Sequence, residues 1–240
     1  MIDWLRREQQ PPMIVLGDRS VPIAILRHAR ARRMTLRLAP DGSEVRVTLP
    51  QWGRTADAIA FARSRSDWLA EQLARIPSAQ PPVPNGTLAY RGEELRITWL
   101  PTLPRTPRIS GKELHVGGSQ DSLVNRLRRW LEREALGLMQ QDLECYCQRA
   151  SIAVPMLRLS RARRRWGSCA GDGTIRLNWR LVQAPDTIRR SVVAHEVAHL
   201  VHFDHSPAFH ALLAEVFDDD LADANAWLKR HGPGLYAAFG

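Results

Sequence analysis

The chain has 240 residues, 44% of them hydrophobic and 25% charged, the profile of an ordinary globular protein rather than a disordered or membrane-spanning one. No run approaches the about 20 apolar residues of a membrane span. The start, MIDWLRREQQPP, lacks the apolar stretch of a secretory leader, so a cytoplasmic protein with no membrane association is expected. The net charge of +9 is carried by arginine, Lys112 and Lys229 being the only lysines, and residues 1–120 hold +7 of it. Such an Arg-rich surface is either simply solvated or contacts a polyanion such as nucleic acid.

In chain order, residues 21–26, 34–38 and 45–49 alternate apolar and polar side chains and read as strands. Pro40-Asp-Gly-Ser43 supplies turn residues between the last two, so a three-stranded antiparallel unit is expected. From Thr55 to Ile76 the period becomes helical, with Ile59, Ala62, Leu69 and Leu73 on one face and Thr55 as the cap. Residues 77–86 hold four prolines and can be neither helix nor central strand, which makes them the candidate linker. Strand-like pieces come next, around 95–100 and 113–116, interrupted by Pro101, Pro104 and Pro107. Residues 1–120 therefore read as a β-rich region with one helix.

Asp121 opens a long amphipathic helix to about Arg149. It carries Cys145 and Cys147, which with Cys169 make an odd number of thiols and no complete disulfide framework. Strands at 156–159 and 174–178 flank a turn-rich loop holding Gly167, Gly171 and Gly173. Pro185-Asp186 introduces a helix through Val201, and Ser206-Pro207 starts a further one ending near 218–220. No internal repeat is evident. The expectation is an α+β chain with residues 121–240 as its second domain.

Five of the eight histidines fall between 195 and 210, and His195-Glu-Val-Ala-His199 is an HExxH motif on a predicted helix. Residues four apart share a helical face, so both imidazoles can converge on one metal ion, with zinc as the ion this donor set favours. Glu196 is rotated away from the first ligand, where its carboxylate can act as general base on water without taking a coordination position. Chance would give this motif in about one such chain in a hundred, against a bland reading of buried, hydrogen-bonded histidines.

Catalytic zinc usually keeps three protein ligands. His202, His205 and His210 are the candidates for the third. His202 continues the same stripe and lies too far along the axis to meet the ion comfortably. His205 falls where the chain turns toward the next helix, and the spacing favours it. The extended HExxHxxGxxH pattern matches His205 too, but position 202 is His rather than Gly.

The strings Arg165-Trp-Gly-Ser-Cys169, Ile175-Arg-Leu-Asn-Trp179, Val193-Ala-His-Glu-Val-Ala-His-Leu200 and His205-Ser206 resemble the YgjP-like metallopeptidase family of predicted metal-dependent hydrolases. The likeness extends over nearly the whole chain and is specific from Arg165 to Ser206. It implies a zincin-like catalytic domain (active-site helix, backing helix and small antiparallel sheet) related to SprT-type proteases, with one zinc ion on His195, His199 and His205. His210 departs from the tryptophan that the family usually carries after Phe209.

The leading reading is a zinc-dependent metallopeptidase acting on peptide or protein substrates. Residues 174–178 are the candidate strand for accepting a substrate backbone, with Asn178 and Trp179 as candidate cleft residues and Arg165 for a carboxylate or phosphate. Two alternatives stand beside it. One is a metal-dependent phosphohydrolase acting on nucleotides, clamped by arginines of residues 161–165. The other is a basic DNA-associated protein with an SprT-like role. The oxyanion-stabilising residue and the oligomeric state are not legible.

Overall fold

The computed structural model describes residues 11–39, 42–74, 76 and 80–239, so the turn residues Pro40 and Asp41 lie outside the described residues, as do positions 77–79 of the Pro-rich segment. The fold is mixed α+β, and the chain divides into two compact units, Met1–Pro77 and Ser78–Gly240. Among the described residues no helix is long and apolar enough to cross a membrane.

The first unit is a four-stranded sheet under two helices. Strand β1 (Met13–Leu16) pairs antiparallel with β2 (Arg19–Arg27), while β3 (Thr35–Leu38) pairs antiparallel with β4 (Val45–Leu49). The pair β2 and β4 run parallel, giving the order β1-β2-β4-β3. This replaces the expected three-stranded antiparallel unit; the short β1 escaped notice because alternate residues Met13 and Val15 face solvent. Its other face buries Ile14 and Leu16 with Val21, Ile23, Val45, Val47 and Leu49.

Two helices cover that face where one was expected over 55–76. Helix α1 (Thr55–Arg63) ends at Ser64, whose hydroxyl donates back to the Phe61 carbonyl, and α2 (Ser66–Ala74) restarts beyond it. Such back-bonding offers the chain an alternative to continuing the helix. Thr55 is not the cap; its hydroxyl accepts from Arg27 at 2.9 Å instead. Ala58, Ala62, Leu69 and Leu73 form the buried stripe.

The second unit opens with the same strand order. Strands β5 (Thr87–Tyr90), β6 (Glu93–Trp99), β7 (Arg108–Ser110) and β8 (Glu113–Val116) are arranged β5-β6-β8-β7, with β6 and β8 parallel and the outer pairs antiparallel. A topological repeat is therefore present although the sequence shows none. Leu88, Leu95, Ile97, Leu114 and Val116 join the core built by the 27-residue helix α3 (Leu123–Arg149), so these strands belong to the second unit. The chain divides near residue 77 rather than at the expected 120.

Helix α3 backs a three-stranded sheet of β9 (Leu157–Ser160), β10 (Gly167–Cys169) and β11 (Ile175–Asn178) in the order β10-β11-β9. This sheet is mixed, not antiparallel, because β11 runs parallel to β9. Helices α4 (Asp186–Val201), α5 (Pro207–Val216) and α6 (Leu221–His231) complete the unit, and α6 has no counterpart among the elements expected from sequence.

Helix α4 buries nine of its 16 residues. Val193, Ala194, Val197 and Ala198 are fully buried, each Val contributing about 1.5–3 kcal/mol by leaving water. Two contacts fix its position. Buried Arg189 donates to Asp142 of α3 at 2.7 Å and also pairs with Asp186, which Arg91 holds from the other side at 3.1 Å. The β5–β6 turn closes on its start, where Arg91 and Gly92 N–H donate to the Val182 and Gln183 carbonyls. Gly92 has φ +82°, and a Cβ there would lie 2.9 Å from Pro185 Cα, so only glycine fits.

Candidate metal centre

Helix α4 carries His195, Glu196 and His199, while His205 arrives from the connection to α5. The turn works without glycine because His202 leaves the helix with an extended backbone, φ −126° and ψ 105°. Ser206 then caps α5 by accepting from the Phe209 N–H, with Pro207 at the first helical position. One ring nitrogen from each of His195, His199 and His205 lies within 4.8 Å of the other two, so the three side chains form a group that could hold a metal ion.

The donor set can be tested against zinc geometry. Zn–N bonds of about 2.0–2.1 Å at tetrahedral angles put the nitrogens about 3.4 Å apart. His195 Nε2 and His205 Nε2 are 3.4 Å apart. His199 Nδ1 lies 3.1 Å from the His202 carbonyl, an acceptor only, so Nδ1 carries the proton and Nε2 presents its lone pair. Burial, together with the neighbouring His199, His205 and His210, lowers His195 to about 4, so its imidazole is neutral at neutral pH, the form that can bind a metal ion. His202 therefore contributes its carbonyl, and His210 is an exposed cleft residue 6.3 Å in ring separation from His205.

Two residues that the sequence reading missed shape this cluster. Phe209 is fully buried, with its ring centroid 4.6 Å from His199, 4.8 Å from His205 and 5.1 Å from His195, a rigid apolar floor beneath all three imidazoles. Its offset of three from the capping Ser206 was the available signal. Gly167 is the second. Its backbone passes so close to Glu196 that an added Cβ would meet the carboxylate.

Glu196 is 6% exposed, and the Cys169 N–H donates to its carboxylate. Burial raises its pKa to about 7, against the opposing pull of the Cys169 N–H and the Arg165 charge. A carboxylate near neutrality with one anchored oxygen suits proton transfer in both directions.

Glu196, His195 and Gly167 form the wall shared by two clefts. One, of about 380 Å³, is lined by Trp166, Val192, Phe209, His210, Leu213 and Leu228 and is largely apolar. The other, of about 330 Å³, is lined by Arg165, Ser168, Cys169, His199, Phe203 and His205. Arg165 therefore reaches the site. Asn178 and Trp179 do not: they are 0% and 1% exposed and line neither cleft. Asn178 spends its amide on the Ala162 carbonyl and the Tyr236 hydroxyl and its oxygen on the Arg180 N–H, while Trp179 packs edge-on against Phe239.

The candidate substrate strand also moves. Strand β11, covering the expected 174–178 segment, is central and paired on both sides, so β10 is the edge beside α4. The Asn178 N–H donates to the Trp166 carbonyl and the Ala170 N–H to the Thr174 carbonyl. Antiparallel alternation therefore turns the backbone groups of Gly167 and Cys169 outward, and the Cys169 N–H is the one that Glu196 takes.

Comparison with known proteins bears on the family of the chain. A family model described as YgjP-like, metallopeptidase domain, matches residues 32–231, a span that includes both clefts and every residue of the histidine cluster. No curated protein and no solved structure matches the chain. With most of its length matched, the chain belongs to the YgjP-like metallopeptidase family and carries its metal-dependent, zincin-like hydrolase domain.

Proposed function

We propose that the chain is a zinc metallopeptidase in which His195, His199 and His205 hold one zinc ion and Glu196 is the general base. The observation that carries this reading is the 3.4 Å separation of two imidazole nitrogens beside a buried carboxylate, in a wall between two clefts. When bound, zinc supplies Lewis acidity that polarises a carbonyl and makes water more acidic. A substrate peptide adds to the outer edge of β10, where the outward backbone groups of Gly167 are available for strand pairing. That places a substrate side chain in the apolar cleft between Trp166 and Leu213. Glu196 takes a proton from the attacking water, holds it on a carboxylate anchored by the Cys169 N–H, and passes it to the leaving amine.

The test is zinc content together with casein and peptide-library cleavage for wild type, Glu196→Gln and His205→Ala. Expected are about one zinc per chain in wild type and Glu196→Gln, with turnover lost at least about 100-fold in the latter, the low end for general-base catalysis. His205→Ala should lose most of its zinc. Normal cleavage by Glu196→Gln would remove the assigned base.

The phosphohydrolase alternative finds less support. Of the arginines in 161–165, Arg165 alone lines either cleft, and Arg161 is drawn to Glu132 at 2.9 Å. Phosphate release from nucleotides without peptide cleavage would reverse the ranking.

A further inference from the structure

A second concave site lies in the same unit and shares no residue with either cleft of the metal centre. Its volume is about 320 Å³, and its walls are Arg126, Arg129 and Arg133 of α3 together with Ser122, Arg105 and Thr106. Positions 126, 129 and 133 are three and seven apart, so α3 presents them on one face. The loop between β6 and β7 brings Arg105 from the opposite side.

No carboxylate lines this pocket. Among the described residues none of the four arginines is in an ion pair, although α3 carries acidic neighbours. Those neighbours are engaged elsewhere: Glu132 pairs with Arg161 and Glu134 accepts from the Tyr90 hydroxyl at 2.8 Å. Arg126 is anchored through Nη2 to the Ser122 hydroxyl at 2.6 Å and the Ser119 carbonyl at 3.3 Å. Its Nη1 is shielded from water and has no partner among the described residues, an orphaned donor that costs free energy until something accepts from it. Burial, then the charges of Arg105 and Arg129, push the Arg126 guanidinium below its ordinary value, so positive potential is concentrated rather than dispersed.

We propose that Arg105, Arg126, Arg129 and Arg133 form a binding site for a phosphate-bearing anion, separate from the metal centre. Guanidinium groups converging from two elements match phosphate oxygens bidentately, which a scatter of surface charges does not. The phosphate comes either from a free polyphosphate or from a nucleic-acid backbone, and the two sources are separable.

The experiment uses the metal-loaded full chain with inorganic pyrophosphate by calorimetry and a labelled single-stranded oligonucleotide by anisotropy. Arg129→Gln/Arg133→Gln removes two exposed pocket charges, and Arg96→Gln/Arg230→Gln removes two exposed charges from the same unit elsewhere. The expected result is that the pocket variant loses about tenfold or more in affinity, with a salt slope smaller by about 1–2, while the control loses less than about threefold. Pyrophosphate binding lost in the pocket variant identifies a free anion as the source. Oligonucleotide binding lost there, with no pyrophosphate binding in wild type, identifies a nucleic-acid backbone. Equal losses in the two variants, binding that persists in the pocket variant at the metal centre or elsewhere, or no binding of either probe would overturn the proposal.

Discussion

Replacing Gly167 with alanine probes the distance between β10 and Glu196, the proposed general base. The added methyl would lie 2.7 Å from Glu196 Cγ and 2.8 Å from Cδ, with the carboxylate oxygen nearer still. Relaxed carbon contacts need about 3.5–4.0 Å, so Glu196 or the strand must retreat by about 1 Å. The strand is tied to β11, and α4 is enclosed, so the side chain yields first. A displacement of about 1 Å at a reacting group costs about 100-fold in turnover, or about 2.7 kcal/mol of barrier. The φ of Gly167 lies outside the left-handed region, so alanine adds bulk without backbone strain. Peptide cleavage measured beside zinc content and thermal unfolding separates the effects: turnover should fall about 100-fold with zinc retained, and overpacking should cost about 1–3 kcal/mol of stability. Gly171→Ala, which meets open space, should behave as wild type. Wild-type turnover in Gly167→Ala would refute the role given to this contact.

Arg189→Met should destabilise the protein by about 3 kcal/mol in urea unfolding, the low end for a broken buried pair, because Asp142 keeps only the 3.3 Å contact to half-exposed Arg190. Adding Asp142→Leu should recover part of that loss, and strictly additive losses would argue against coupling. Burial pushes the Asp186 carboxyl up, but Arg91 and Arg189 outweigh it and hold it below its ordinary value. Its contribution is therefore present at neutral pH and lost as pH falls from the unfolded value of about 3.9 through the lower folded one. The stability gap between wild type and Asp186→Asn should be constant near neutrality and shrink below about pH 4; a gap that widens in acid would contradict the sign. Burial raises the Cys147 thiol to about 11, so alkylation at mildly alkaline pH should label exposed Cys145 and reach Cys147 only after unfolding.

The histidine cluster was legible because helical spacing and a cap-proline pair are local rules: HExxH sets His195 and His199 on one helical face, and Ser206-Pro207 marks where the chain turns back with His205. Strand β10 was not, since Gly-Ser-Cys has none of the β-branched or aromatic residues by which strands are recognised. Its glycine answers to Glu196, a residue 29 positions away, and no window of local sequence holds that constraint. The same applies to Asn178 and Trp179, whose polar and aromatic character suggested a cleft but is consumed by partners from the chain's end, Tyr236 and Phe239. The division near residue 77 was missed because β5–β8 read as more of the β-rich start, and only their shared core with α3 reveals where they belong.

The clasp of the β5–β6 turn on Pro185 bears on what can be excised or grafted from this protein. A piece cut at residue 121 would keep the histidine cluster and Glu196, yet lose the brace that sets where α4 begins and the strands that share a core with Trp130 and Leu131. Modularity in this chain tracks the core rather than the motif: the smallest portable unit starts ahead of Thr87, and residues 87–116 are its foundation.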